Sequence, residues 1–273
     1  MNKIVNVKEL KIGGNEPLVL IAGPCVIENE EMVLKTAERI KTITDKLNIP
    51  FIFKSSYKKA NRTNVDSFTG LDKEEAFGIF EKLKSEFDFP LLTDVHTEEE
   101  TVEASEVVDV LQIPAFLCRQ TDLLTAAGKT GKVINIKKGQ FLYPGDMKFA
   151  AEKVEATGND NILFTERGTT FGYQNLVVDM RSLKIMRDLG YPVVMDATHS
   201  VQMPGGGKTT GGNPEFIEPL AKAAAAVGID ALFLEVHPDP ANALSDAASQ
   251  LHIDKLEQLL IKIKKIDDLV RGL

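Results

Sequence analysis

Leu18-Val19-Leu20-Ile21-Ala22-Gly23-Pro24-Cys25 opens the stretch that decides the fold, and Pro50-Phe51-Ile52-Phe53-Lys54 closes it. Between these apolar runs Val33, Ala37 and Ile40 recur at helical spacing, so residues 18–54 read as strand, helix, strand. Such a unit implies a right-handed crossover and two parallel strands. The turn after the first run carries no glycine-rich dinucleotide fingerprint, which an open doubly wound sheet would favour there.

The same unit recurs. Apolar runs follow at Pro90–Val95, Val107–Ile113, Val133–Ile136, Ile162–Phe164, Pro192–Met195 and Ala231–Leu234, separated by polar segments of helical pattern. Eight strands alternating with helices predict a closed (β/α)8 barrel, with the open sheet as competitor. No linker or change of composition divides the chain, so residues 1–273 are expected to form a single catalytic domain. Ile4, Val5, Val7, Leu10 and Ile12 suggest a short N-terminal hairpin closing the barrel bottom. Leu256, Leu260, Ile263, Leu269 and Leu273 predict the stripe of a final helix, and Asn213-Pro214-Glu215 a helix start with Asn213 as its cap.

A length of 273 residues suits one such barrel, and 43% hydrophobic residues supply its core. Trp is absent and aromatics are 7%, so the core is aliphatic, as a covered parallel sheet requires. A net charge of −8 argues against nucleic acid or anionic membrane as a partner. No run approaches the roughly 18 apolar residues of a membrane span, and no signal peptide is evident. Two cysteines make no disulfide framework. A cytoplasmic protein is expected.

Barrel active sites lie at the C-terminal strand ends. Here those ends carry Cys25 and Glu28; Lys54, Ser56, Lys59, Asn61, Arg62 and Thr63; Asp94 and His96; Gln112 and Arg119; Lys137; Glu166 and Arg167; Asp196 and His199; Glu235 and His237. Any one of the six cations Lys54, Lys59, Arg62, Arg119, Lys137 and Arg167 is more often a solvated surface charge. Six converging on one mouth of an acidic protein suit phosphates and a carboxylate. Lys54, Ser56, Lys59, Asn61, Arg62, Thr63, Asp94, Gln112, Arg119, Lys137, Arg167 and His199 are the candidate site residues, their individual roles left open by position alone.

Cys25, His199, Glu235 and Asp246 come from strands or loops one, seven and eight, which adjoin in a closed barrel. One thiolate, one imidazole and two carboxylates suit a divalent Fe, Mn or Zn ion. Cys118, across the barrel, reads as packing. The glycine-rich run Pro204–Gly212 matches no phosphate-loop pattern and reads as a lid over the mouth or as a plain surface loop.

Phe53-Lys54-Ser55-Ser56, Lys59-Ala60-Asn61-Arg62, the run from Gln112 to Asp122, Glu166-Arg167-Gly168-Thr169-Thr170-Phe171-Gly172-Tyr173, Asp196-Ala197-Thr198-His199-Ser200 and Glu235-Val236-His237-Pro238 closely resemble the 3-deoxy-D-manno-octulosonate 8-phosphate synthases. The likeness runs from about Leu20 to Leu273. It implies a homotetrameric barrel joining phosphoenolpyruvate to D-arabinose 5-phosphate, with release of phosphate, toward the inner-core sugar of lipopolysaccharide. Lys54, Ser56, Gln112, Lys137 and Arg167 match positions holding phosphoenolpyruvate, and Lys59 and Asn61 positions facing the sugar. Arg62 and Thr63 match the sugar-phosphate site, which in that family a neighbouring subunit completes. Cys25 stands where metal-dependent members have Cys and metal-independent members Asn. Departures are Lys58, often Asp, Thr63, often Ser, and Ala247-Ala248 in place of Gly-Pro. The rival enzyme is the sister synthase that uses erythrose 4-phosphate, which carries a Lys-Pro-Arg-Thr type string where this chain has Lys59-Ala60-Asn61-Arg62. A non-catalytic phosphosugar-binding barrel would have no use for the four metal ligands.

Overall fold

A computed structural model describes residues 3–62, 66–171, 175–203 and 211–272. Thr63, Gly172, Tyr173 and most of the proposed lid, 204–210, lie outside the described residues. Eight parallel strands, Val19–Gly23, Phe51–Lys54, Leu91–Asp94, Val110–Ile113, Val133–Lys137, Ile162–Glu166, Val193–Asp196 and Ala231–His237, pair in chain order. The eighth also pairs with the first, from Ala231↔Val19 to Glu235↔Gly23, which closes the barrel. The helices between them are α1 (Glu30–Leu47), α2 (Lys73–Glu86), α3 (Glu98–Val107), α4 (Thr121–Lys129), α5 (Met147–Glu155), α6 (Arg181–Asp188), α7 (Ile217–Val227) and α8 (Leu256–Arg271). The expected (β/α)8 barrel is present.

Strand periodicity divides the core in two. Side chains such as Leu20, Phe53, Leu111, Ile136, Phe164 and Leu234 point outward and pack under the helices. Val19, Ile21, Ile52, Leu92, Val110, Val133, Leu163, Val194, Ala231 and Phe233 point inward and fill the lower lumen. The expected hairpin is there: Ile4–Val7 pairs antiparallel with Leu10–Gly13, and Val5, Val7 and Ile12 join the inner cluster. The barrel bottom is therefore sealed by apolar side chains rather than open to water.

Three local expectations are corrected. The fourth run does not begin at Val107, which ends α3; the strand starts at Val110. Val107 and Val108 are both buried, so apolar character runs unbroken across a helix–strand boundary. On α8 the buried face is Leu256, Leu259, Leu260, Ile263 and Asp267, while Leu269 is 81% exposed. Asp267 continues the face because its carboxylate accepts from Leu18 N at 3.2 Å and Arg271 Nε at 2.7 Å. Asn213 does occupy the N-cap position and Pro214 the first turn, but of a 3-10 turn, Pro214–Phe216, that leads into α7, and the Asn213 side chain meets Met203 Sδ at 3.5 Å instead of capping.

Candidate active site

The alternation that fills the lower lumen with aliphatic side chains changes chemistry one inward position higher. Ile52 gives way to Lys54, Leu92 to Asp94, Val110 to Gln112, Val194 to Asp196 and Phe233 to Glu235, all buried. Strands five and six, longer at this end, contribute Asn135 and Lys137, then Thr165, with Arg167 one residue beyond. Burial of so many polar groups requires partners, and most have them. Thr165 Oγ1 donates to Asn135 Oδ1 at 2.6 Å, and Asn135 Nδ2 donates to Gln112 Oε1 at 3.1 Å. Lys137 pairs with Asp196, and Lys54 donates to Glu235 Oε1 at 2.6 Å and to the Cys25 carbonyl at 3.0 Å. Gly23 permits this junction: a Cβ there would lie 2.0 Å from the Lys54 carbonyl oxygen.

Electrostatics follow from that crowding. Burial raises the Glu235 carboxyl, but the charges of Lys54, His199 and Lys59 outweigh it and hold Glu235 below the usual carboxylate range. Burial acts likewise on Asp196, where His199 and Lys137 again win and keep it ionised. Lys137 is pushed down by burial, opposed by Asp196. Its ammonium also lies 3.9 Å from the centre of the Phe233 ring, an apolar side chain of the lumen.

Cys25, Glu235 and Asp246 place ligand atoms within 4.8 Å of one another. His199 joins them through Nε2, 3.7 Å from Glu235 Oε1 and 3.8 Å from Asp246 Oδ2. Its other nitrogen, Nδ1, lies 2.7 Å from Asp196 Oδ2, an arrangement that orients an imidazole for a metal. Donors bound tetrahedrally at about 2.0–2.3 Å stand roughly 3.3–3.8 Å apart, so the carboxylate and imidazole spacings suit one cation. The donor chemistry agrees. Burial and the Glu235 charge push the Cys25 thiol well above its ordinary range, so only a cation would hold it as a thiolate. Cys25, Glu235 and Asp246 form a cluster compatible with a divalent ion, and His199 Nε2 stands beside its two carboxylates.

The other candidates are placed as follows. Ser56 is buried above Lys54, bridged to the strand-one loop by a Ser56 N to Cys25 O bond of 3.2 Å. Lys59 reaches to 3.9 Å from Glu235, and the Glu235 and Asp94 carboxylates hold its ammonium charged against burial. Arg62 is half-buried and donates through Nε to the Phe68 carbonyl at 2.8 Å, while Asn61 is exposed on the same loop. Arg119 departs from the expected convergence. It is exposed and lines an outer cleft of about 500 Å³ with Phe141, Tyr143 and Lys153, because the turn Ala115–Leu117 carries it outward toward α5. Cys118 is buried packing, as expected.

Several roles were not anticipated. His96 lies between Asp94 Oδ2 at 3.3 Å and Glu100 Oε2 at 3.1 Å. Burial alone would lower it, but those two hydrogen bonds push it up to about 9. Glu166, expected on the rim, points outward. Its Oε1 accepts from the backbone of Arg167 and Gly168 at 2.9 and 2.7 Å, and its Oε2 accepts from Ser182 at 2.5 Å. It thus fixes the turn from which Arg167 projects. Gln202, not singled out in the sequence, touches both Arg167 and Asp246. Nothing in local sequence marks it, although it follows His199 by only three residues.

Eight buried side-chain N and O atoms among the described residues lack a hydrogen-bond partner, Thr93 Oγ1, Tyr57 Oη and His237 Nε2 among them. Ser56 Oγ, Arg62 Nη2, Asp94 Oδ1, Arg167 Nη1 and Glu235 Oε2 are buried without a hydrogen-bond partner. An unmet buried polar group costs about 1–3 kcal/mol, so five of them around one mouth mark where a polar ligand belongs. Cationic nitrogens and a hydroxyl beside the Cys25, Glu235 and Asp246 cluster define a barrel enzyme acting on small, multiply anionic substrates.

The chain belongs to the DAHP synthetase I family, whose model matches residues 2–271. It is 55% identical over 272 residues to the 2-dehydro-3-deoxyphosphooctonate aldolase of Rickettsia canadensis, covering 99% of each chain. It is 56% identical to the protein of that name from Geotalea uraniireducens, covering 99% of this chain and 100% of the relative. The Rickettsia prowazekii protein of the same name is 55% identical, again with 99% of each chain covered.

Proposed function

We propose that this enzyme condenses phosphoenolpyruvate with D-arabinose 5-phosphate and water, giving 3-deoxy-D-manno-octulosonate 8-phosphate and inorganic phosphate. One observation carries the proposal: the unpartnered buried atoms of Ser56, Arg62, Asp94, Arg167 and Glu235 ring one barrel mouth. Ser56, Arg62 and Arg167 offer donors for phosphate and carboxylate oxygens, while Asp94 offers an acceptor for a hydroxyl or water and Glu235 one for a cation. The full-length relatives bear the eight-carbon name, while the family is named for the seven-carbon sister activity.

In the reaction C3 of phosphoenolpyruvate bonds to the aldehyde carbon while water adds at C2. The C2–O bond to phosphate then breaks, and the bridging oxygen leaves with the phosphate. Lys54, Ser56, Gln112, Lys137 and Arg167 hold the enol substrate so that C3 faces the aldehyde, which converts an encounter into near-attack geometry. Lys59 and Asn61 face the sugar. Arg62 and Thr63 bind its phosphate. Asp94, ionised and with Oδ1 free, accepts hydrogen bonds from a sugar hydroxyl or the attacking water. A divalent Fe, Mn or Zn ion, held by Cys25, His199, Glu235 and Asp246, would supply positive charge for polarising an oxygen at the mouth.

The exposure of Phe116, Phe141, Tyr143 and Phe149 near Arg119 supports a homotetramer in which Arg119 completes a neighbour's sugar-phosphate site. Each chain then contributes one barrel, with residues 1–273 acting as a single domain. Neither nucleic acid nor membrane is a partner in this reading. Both cysteines are free, and no described helix is long and apolar enough to cross a membrane. Phosphorylated metabolites as substrates support a cytoplasmic setting.

The test is phosphate release measured with both acceptors in parallel. Arabinose 5-phosphate should be favoured over erythrose 4-phosphate at least tenfold in kcat/KM, roughly 1.4 kcal/mol of discrimination. Equal turnover, or preference for the four-carbon sugar, refutes the assignment.

A further inference from the structure

One side chain spans the two halves of the site without a part in either. Gln202 is half-buried in the short strand Gln202–Met203. Its Oε1 accepts from Arg167 Nη2 at 2.6 Å, and its Nε2 donates to Asp246 Oδ2 at 3.2 Å. The carbonyl end meets a cation and the amino end an anion, so turning the amide over would set donor against donor and acceptor against acceptor.

The surroundings make this bridge more than a passing contact. Arg167 keeps Nη1 buried and unpartnered beyond the nitrogen that Gln202 engages, so the amide fixes the guanidinium plane with one donor left for an anion. Asp246 has φ +48, an uncommon conformation for a residue with a Cβ. Its carboxylate direction therefore depends on side-chain contacts, of which Gln202 and Cys25 Sγ at 3.5 Å are two. The strand carrying Gln202 pairs with Gly211–Gly212. A Cβ on Gly212 would come within 2.7 Å of the Ala248 carbonyl oxygen, so the base of loop seven rests directly on the loop that carries Asp246.

Resting on the functional reading above, we infer that Gln202 is a positioning residue that couples the phosphoenolpyruvate subsite to the metal-ligand cluster. An anion on Arg167 fixes the amide, and the fixed amide holds the Asp246 carboxylate in its ligating direction. A cation on Asp246 does the same in reverse. Such coupling is reciprocal: each ligand strengthens the other by one common factor.

The test uses the full chain stripped by chelator and titrated calorimetrically. Mn2+ is titrated with and without phosphoenolpyruvate, and phosphoenolpyruvate with and without Mn2+. In the wild type each ligand should tighten the other by the same factor, about fivefold or more. In Gln202→Met, similar in size but without either hydrogen bond, each ligand alone should bind within about threefold of wild type. The coupling factor should fall at least threefold, leaving what direct attraction between cation and anion supplies. Thermal unfolding checks that the variant is folded, and Gln202→Ala takes its place if the thioether is not accommodated. Undiminished coupling in a folded variant overturns the inference, as does a wild type that binds both ligands independently. A wild type that binds Mn2+ but no phosphoenolpyruvate overturns the functional reading itself, and the role of Gln202 with it.

Discussion

The lower and upper halves of the barrel lumen are built by the same eight strands and differ by one inward-facing position per strand. Below, Val19, Ile21, Ile52, Leu92, Val110, Leu163 and Val194 meet the hairpin residues Val5, Val7 and Ile12 in a dry core. Above, Lys54, Asp94, Gln112, Lys137, Asp196 and Glu235 are equally buried but polar. None of the unpartnered buried side-chain atoms found among the described residues belongs to the lower set, and five surround the mouth. The lower half is where apolar burial stabilises the closed sheet. The upper half is an arrangement of charges whose cost is borne by that stability and recovered when ligands bind.

The sharpest way to break the contrast is to remove a metal-facing group. His199→Ala deletes the Nε2 that stands 3.7 and 3.8 Å from Glu235 and Asp246. Activity should fall by about a thousandfold or more, near 4 kcal/mol of transition-state stabilisation. Bound metal, measured on the same sample, should fall with it. Cys25→Asn should behave differently, binding metal weakly yet keeping turnover that resists chelator. Full activity of the metal-free wild type would show these residues to be ordinary polar lining.

A second comparison sets one residue from each half side by side. Ile21→Ala, in the fully buried lower lumen, should destabilise by about 2–5 kcal/mol in denaturant unfolding while kcat/KM of the folded enzyme stays within about threefold. Arg167→Ala should do the reverse. It removes a buried guanidinium with one nitrogen unpartnered, so stability should hold or rise. The loss of charge-assisted hydrogen bonds should weaken phosphoenolpyruvate by about 1.5–3 kcal/mol, and arabinose 5-phosphate much less. If both variants lose stability alike, or both lose affinity alike, the division between the halves is wrong.

The fold was legible because the signals were local. Each apolar run ends in polar residues at the same end, and the crossover rule leaves few ways to arrange eight of them. Ile4 to Ile12 announced the plug by alternation alone. The meeting of Cys25, Glu235 and Asp246 was legible because closure brings strand ends one and eight together. What escaped needed three-dimensional contacts. Arg119 looked like its fellow cations in sequence, but the turn after strand four carries it to the outside. Glu166 shares the rim with Arg167, yet period-two alternation turns it outward. Gln202 is recognisable only by what its two ends touch. Asp267 replaces Leu269 on the buried face of α8 because a buried carboxylate with two donors packs as well as an apolar side chain.

The smallest expected effect concerns the border between the halves, where His96 braces Asp94. Its ring is sandwiched between Asp94 and Glu100, and the His96 backbone N–H also donates to Glu100 Oε2 at 2.7 Å. In the folded protein the imidazole is pushed up to about 9, against about 6.5 when unfolded. A group raised in this way contributes stability that is fully present below pH 6.5 and is lost as pH rises through 9. The same contacts hold Asp94 and Glu100 below the ordinary carboxylate range despite burial, so their share is present above about pH 4.5 and fades as acid protonates them. Stability should therefore be greatest between these limits and decline on the alkaline side by at most ~3 kcal/mol, the whole of the His96 shift. His96→Gln has its donors on a single nitrogen, carries no charge and does not titrate, so its alkaline decline should be flatter while stability near pH 6 is lower. Urea unfolding of both proteins from pH 5 to 10 reads this directly. Parallel alkaline limbs would show that His96 is neutral in the native state and that Asp94 is held ionised by Lys59 instead.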